Sequence, residues 1–224
     1  MSRALTGRGV VLVGLLAAAC GGGGGGGGGG NEPPGPPTQL VKNGGDAQSW
    51  YFDNPLPVQL RVKALDANNR AVPGVVVAWA VTAGGGAVSP LQSTTDGNGV
   101  AGTIDSIGST SPQTITATPD ITSLPTLTFT AAAGAPPASA AVSLTGLRFV
   151  PANAVVQVND SVTWTWNDSP NIHNITFTNG PGTSPPDAAD RMTGTYVGGF
   201  TTVGTYRYTC TNHLGMDGTV IVVH

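Results

Sequence analysis

The clearest periodic signal is at Pro57-Val58-Gln59-Leu60-Arg61-Val62-Lys63-Ala64, where apolar and polar residues alternate. A period of two places every second side chain on one face, the signature of a half-buried strand. Similar runs at 75–81 (centred on Trp79), 100–104, 114–118 and 126–130 predict further strands, with turns at Asp66-Ala67-Asn68-Asn69-Arg70 and Asp96-Gly97-Asn98-Gly99. The C-terminal part continues the pattern. Strands are expected at 154–158, 161–166, 172–177, 194–200, 204–210 and 218–223, with a turn at Asn159-Asp160 and a long polar loop ending at Thr193. Within 161–166, Val162, Trp164 and Trp166 share a face, so the two tryptophans read as packing residues.

Composition agrees with an all-β chain. Only 9% of the 224 residues are charged, Gly and Pro number 34 and 18, and Val and Thr are abundant. The formal net charge of −3 leaves no basic footprint, which argues against nucleic acid as a partner.

The first twenty residues predict processing rather than folding. Arg3 and Arg8 precede an apolar stretch at 10–19 that is too short to span a bilayer, as in an export signal. The segment ends in Leu16-Ala17-Ala18-Ala19-Cys20, which resembles a bacterial lipobox and implies lipidation at Cys20. Residues 21–37, a run of glycines followed by a Pro-rich stretch, form a tether expected to span on the order of 20–25 Å by coil scaling. A phosphate-cradling role for the glycines is excluded, because such loops carry interspersed Lys, Ser or Thr and a following helix. Two domains are expected beyond the tether, at 38–133 and 140–224, joined by a linker at 134–139.

In the first domain, the ordered series Gly45-Asp46-Ala47-Gln48, Val62-Lys63-Ala64-Leu65-Asp66-Ala67-Asn68, Val72-Pro73-Gly74-Val75, Ala80-Val81-Thr82-Ala83-Gly84-Gly85-Gly86 and Thr94-Thr95-Asp96-Gly97-Asn98-Gly99 resembles the bacterial Ig-like domains of invasin and intimin. The resemblance implies an antiparallel sandwich serving as spacer or adhesive unit. The domain has neither His nor Cys.

The chemistry is concentrated in the second domain. Its soft-metal donors are His173, Met192, Cys210, His213, Met216 and His224, and three of them fall within Cys210-Thr211-Asn212-His213-Leu214-Gly215-Met216. Two imidazoles, a thiolate and a weak thioether form a donor set that favours copper and electron transfer. A strand ending at Cys210, followed by a tight loop, can aim Cys210, His213 and Met216 at one point, with His173 arriving from another strand. His224 and Met192 are read as bystanders. The stretch Gly204-Thr205-Tyr206-Arg207-Tyr208-Thr209-Cys210 and its ligand loop resemble the closing strand of the cupredoxins, with a Cys–His–Met spacing similar to that of amicyanin. The segment His173-Asn174 with Ile175 and Phe177 resembles the plastocyanin stretch that carries the first histidine. These resemblances imply a Greek-key β-sandwich with one copper ion on His173, Cys210, His213 and Met216. They also imply that Asn174 ties the ligand strands together by a hydrogen bond.

The expected function is that of a membrane-tethered blue-copper electron carrier, exported to the bacterial cell envelope and facing the periplasm or the cell surface. It would be monomeric, would exchange electrons with a redox protein through a surface at His213 and Leu214, and would not be an enzyme. Multicopper catalysis would require more than the three histidines present, and a binuclear copper site would require a second cysteine in the domain. A copper-delivery protein, or an adhesin whose copper domain carries no electrons, is the alternative.

Overall fold

The structure is a computed structural model that describes residues 32–224, of which Pro34–His224 form one compact unit. The export signal, Cys20 and residues 21–31 of the tether lie outside the described residues. The described residues contain strands and no helix, as the alternating pattern predicts.

Nine strands build the first sandwich: β1 (Pro37–Gly44), β2 (Gln48–Tyr51), β3 (Leu60–Asp66), β4 (Val76–Ala83), β5 (Gly86–Ser89), β6 (Gln92–Thr94), β7 (Val100–Ile107), β8 (Gln113–Pro119) and β9 (Leu127–Gly134). They pair as β1-β3-β7-β5 and β2-β9-β8-β4-β6. The alternation at 57–64 becomes β3, where Leu60, Val62 and Ala64 are wholly buried and meet Trp79, Ile115 and Phe129 of the facing sheet. Such burial of alternate apolar side chains supplies the main driving force for the sandwich. Asp66 closes β3. Its carboxylate accepts hydrogen bonds from the backbone N–H of Gly35, Asn68 and Arg70 and from the Arg70 guanidinium. Burial pushes this carboxyl up, but those donors outweigh it and hold it well below the usual carboxylate range. The second turn is built the same way, with Asp96 accepting from Asn98 and Val100. Gly99 is required there, since its φ is +72° and a Cβ would lie 2.7 Å from the Ala64 carbonyl oxygen.

The second sandwich comprises β10 (Ser139–Thr145), β11 (Arg148–Val150), β12 (Asn153–Gln157), β13 (Ser161–Trp166), β14 (His173–Asn179), β15 (Ala188–Arg191), β16 (Gly194–Gly199), β17 (Gly204–Thr209) and β18 (Asp217–Val223). Its sheets run β11-β10-β13-β16 and β12-β18-β17-β14-β15. Val162, Trp164 and Trp166 face inward from β13, and Trp164 stacks edge-on against Tyr208 with ring centroids 5.4 Å apart. Trp164 and Trp166 are thus core residues. Two features depart from the sequence reading. The region before residue 154 holds β10 and β11, and the long polar loop contains β15, an edge strand that pairs His173 with Arg191 and Ile175 with Ala188.

The two sandwiches also touch. The buried side chain of Asn54 accepts from the N–H of His224 at 2.9 Å and donates to its carbonyl at 3.4 Å. This contact follows directly on the end of β18.

Candidate metal centre

Cys210 follows the last residue of β17, and Met216 precedes the first residue of β18. The loop between them is pinned at its base, where the Cys210 N–H donates to the Met216 carbonyl at 2.9 Å and the Thr209 hydroxyl donates to the same oxygen at 3.1 Å. Two successive tight turns fill the loop, with His213 N–H donating to Cys210 O and Met216 N–H to His213 O. Gly215 sits in the second turn at φ +77°, where a side chain would be strained.

This loop brings its donors to His173. The Cys210 Sγ lies 3.8 Å from His173 Nδ1 and 3.5 Å from His213 Nδ1, and the ligand atoms of the three residues all fall within 4.8 Å of one another. Both imidazoles turn Nδ1 toward the sulfur. His173 is fully buried, Cys210 and Met216 are nearly so, and His213 is half-buried. Leu214 projects fully into solvent beside His213, while Met192 is exposed and His224 lies at the contact with Asn54. A thiol and two imidazoles converge here, two of the three residues buried, and the same loop ends in the buried thioether of Met216; that donor set matches what a soft cation requires. The fit to copper therefore rests on the donor set itself.

The polar surroundings fix each donor. The Asn174 N–H points at Cys210 Sγ at 3.5 Å. Its side chain accepts from Thr211 N–H at 2.8 Å and donates to Thr211 Oγ1 at 2.6 Å, tying β14 to the ligand loop. Asp190, on β15, accepts from the side-chain amides of both Asn174 (2.9 Å) and Asn212 (2.8 Å). The Trp166 indole donates to the His173 carbonyl at 2.8 Å, and the Arg191 guanidinium lies over the same indole at 4.8 Å. Asp168 Oδ2 lies 3.0 Å from His173 Nε2. The Leu147 N–H and then the His173 contact hold the Asp168 carboxyl below the usual range.

Asp168, Asp190, Asn212 and Trp166 are absent from the sequence-based site. Asp190 lies within the stretch read as loop, and only the pairing of β14 with β15 reveals its place. For Asp168 a signal existed, a carboxylate five residues before a candidate metal-binding histidine.

The family profile and a sequence relative point the same way. The family profile described as "Copper binding proteins, plastocyanin/azurin family" matches residues 138–223. Amicyanin-alpha of Methylorubrum extorquens is 34% identical over 90 residues, covering 39% of this chain and 75% of that protein. Among solved structures, an oxidized amicyanin mutant is similar at 29% identity, covering 37% of this chain and 80% of its own, with a TM-score of 0.34. A novel purple cupredoxin from Nitrosopumilus maritimus is similar at 25% identity, covering 38% and 99%, also with a TM-score of 0.34.

Proposed function

The chain belongs to the plastocyanin/azurin family of copper-binding proteins, and from that membership we propose that it is a membrane-tethered, non-enzymatic electron carrier of the bacterial cell envelope. The observation that carries the proposal is the convergence of Cys210 Sγ with the Nδ1 atoms of His173 and His213 in a buried pocket.

In this reading His173, Cys210 and His213 hold one copper ion, and Met216 supplies a weak fourth donor from the end of its loop. Bound there, copper supplies a one-electron Cu(I)/Cu(II) couple. The protein's contribution is rigidity. Cys210 is held by the base of the loop and by the Asn174 N–H, His173 by Asp168 and Trp166, and the loop by Asn174 and Asp190. Donors held this way move little when the charge of the site changes, which keeps electron exchange fast. Half-buried His213 and exposed Leu214 supply the surface for exchange with a redox protein partner. A small apolar surface desolvates easily and releases its partner quickly.

The remaining parts follow the sequence. Cys20 carries lipid, the Gly/Pro-rich stretch from residue 21 to Pro33 forms a tether, shorter than the expected 21–37 because Gly35 and Pro37 join the first sandwich, and that sandwich is an Ig-like spacer. Export to an oxidising compartment leaves Cys210 as a lone thiol that metal binding preserves.

The test is a Cu(II) titration of the purified protein followed by optical spectroscopy. One equivalent should develop an intense thiolate-to-Cu(II) band that bleaches with a mild reductant and returns on reoxidation. Cys210→Ser should abolish the band. A band that survives in that variant would overturn the assignment, and copper binding without reversible bleaching would favour storage or delivery instead.

A further inference from the structure

We propose that Asp168 is a positioning residue for the copper site: it fixes the tautomer and orientation of His173 and places one negative charge next to the metal-binding ring. The inference rests on the copper-site reading above and extends it to a residue outside the ligand set.

A histidine can present Nδ1 to a metal only if its remaining ring proton sits on Nε2. In a wholly buried ring that N–H must find an acceptor, because water cannot reach it. His173 is wholly buried, and its Nε2 meets one protein oxygen, Asp168 Oδ2 at 3.0 Å. Half-buried His213 has solvent within reach of its ring and no comparable carboxylate among the described residues. The two imidazoles are therefore supported differently.

The carboxylate is itself held in place. The Leu147 N–H donates to the same Oδ2 at 3.2 Å, and the Asn171 N–H donates to the Asp168 carbonyl at 2.7 Å, closing the turn that leads into His173. The preceding residue is anchored as well, since Asn167 N–H donates to Leu144 O and its side chain to Ser143 Oγ. Asp168 thus hangs from the facing sheet, through β10 and the turn at Leu147, and reaches across to a ring carried by β14. A carboxylate free to swing would set neither a tautomer nor a ring plane. This one is fixed on two sides. Its charge also has a direction of effect: a negative group beside the ring favours the more positive, oxidised site and lowers the reduction potential.

Two variants of the full chain separate these roles. Asp168→Asn keeps an oxygen acceptor for Nε2–H but removes the charge, so His173 should stay in its Nε2–H form while the potential rises. Asp168→Leu removes the acceptor as well. In the copper-free protein, nitrogen-15 NMR should then show His173 losing its single Nε2–H form, and Cu(II) affinity should fall about 10- to 100-fold, the usual consequence of deleting such a partner. A folded Leu variant that keeps both the Nε2–H form and the wild-type affinity would overturn the proposal. If the Leu variant does not fold, the Asn variant decides, and an unmoved potential overturns it. Failure of the underlying copper reading is seen separately, because the unaltered protein would then show no thiolate-to-Cu(II) band at all.

Discussion

Asp105→Asn exchanges a buried carboxylate for an amide of the same shape, and the effect should depend sharply on pH. Asp105 points inward from β7 with no exposed surface. One oxygen accepts from the Gln113 side chain at 2.7 Å, Gln113 in turn accepts from Gly108 N–H at 2.8 Å, and the other carboxylate oxygen has no partner. Burial pushes the carboxyl up to about 6, and the single hydrogen bond from Gln113 only partly offsets it. Against an unfolded value of 3.8, that displacement corresponds to about 3 kcal/mol of stability. The folded protein binds the extra proton between pH 4 and 6, so stability falls as pH rises through that window and the full loss persists above it. The amide resembles the protonated acid, placing an N–H where the acid would place an O–H on the unpartnered oxygen, so the substitution should change little at pH 4. At pH 7.5 it should stabilise the first sandwich by on the order of 2–3 kcal/mol. Urea unfolding of both proteins at the two pH values, followed by the indole NMR signal of core residue Trp79, measures the difference directly. An equal effect at both pH values, or destabilisation at pH 7.5, would refute the reasoning.

Other expectations concern the copper end and the anchor. Met216→Gln should retain copper and lower the reduction potential, since an oxygen donor favours Cu(II); an unchanged potential by voltammetry would remove Met216 from the ligand set. Leu214→Glu should leave the optical spectrum intact while slowing bimolecular electron exchange, because Leu214 is fully exposed and packs against nothing that shapes the site. An altered spectrum would assign it to loop packing instead. Cys20→Ser should move the protein from the membrane to the soluble fraction, as acyl chains provide the affinity for the bilayer; continued membrane association would require another anchor.

The three convergent donors were legible in the sequence because Cys and His are scarce there, and because two of the three sit in one short loop between strands with clear alternation. The buried face of β13 was legible for the same reason, since alternating Val162, Trp164 and Trp166 permit one register. β15 was not. Its Ala188-Ala189-Asp190-Arg191 carries no alternation, and it is a strand only because β14 offers an edge to pair with. Asp190 stayed hidden with it, for its amide partners Asn174 and Asn212 lie 16 and 22 residues away. Asp168 left a weaker trace, its spacing of five residues from His173, but that spacing alone does not say which ring nitrogen the carboxylate meets. Asn54 likewise looks like an ordinary turn residue until the end of β18 arrives beside it.

That arrival gives β18 two distinct ends. The strand leaves the ligand loop at Asp217 and runs seven residues to Val223, where His224 meets Asn54. At about 3.3 Å per residue the two ends are separated by roughly 20 Å. β10, the strand through which the chain enters the second sandwich, starts beside that far end and finishes near the turn that holds Asp168. The chain connection and the Asn54 contact therefore share one pole, and the donor cluster occupies the other. A protein approaching Leu214 would meet a surface turned away from the first sandwich, and under the proposed function electron exchange would be kept apart from the anchored end of the chain.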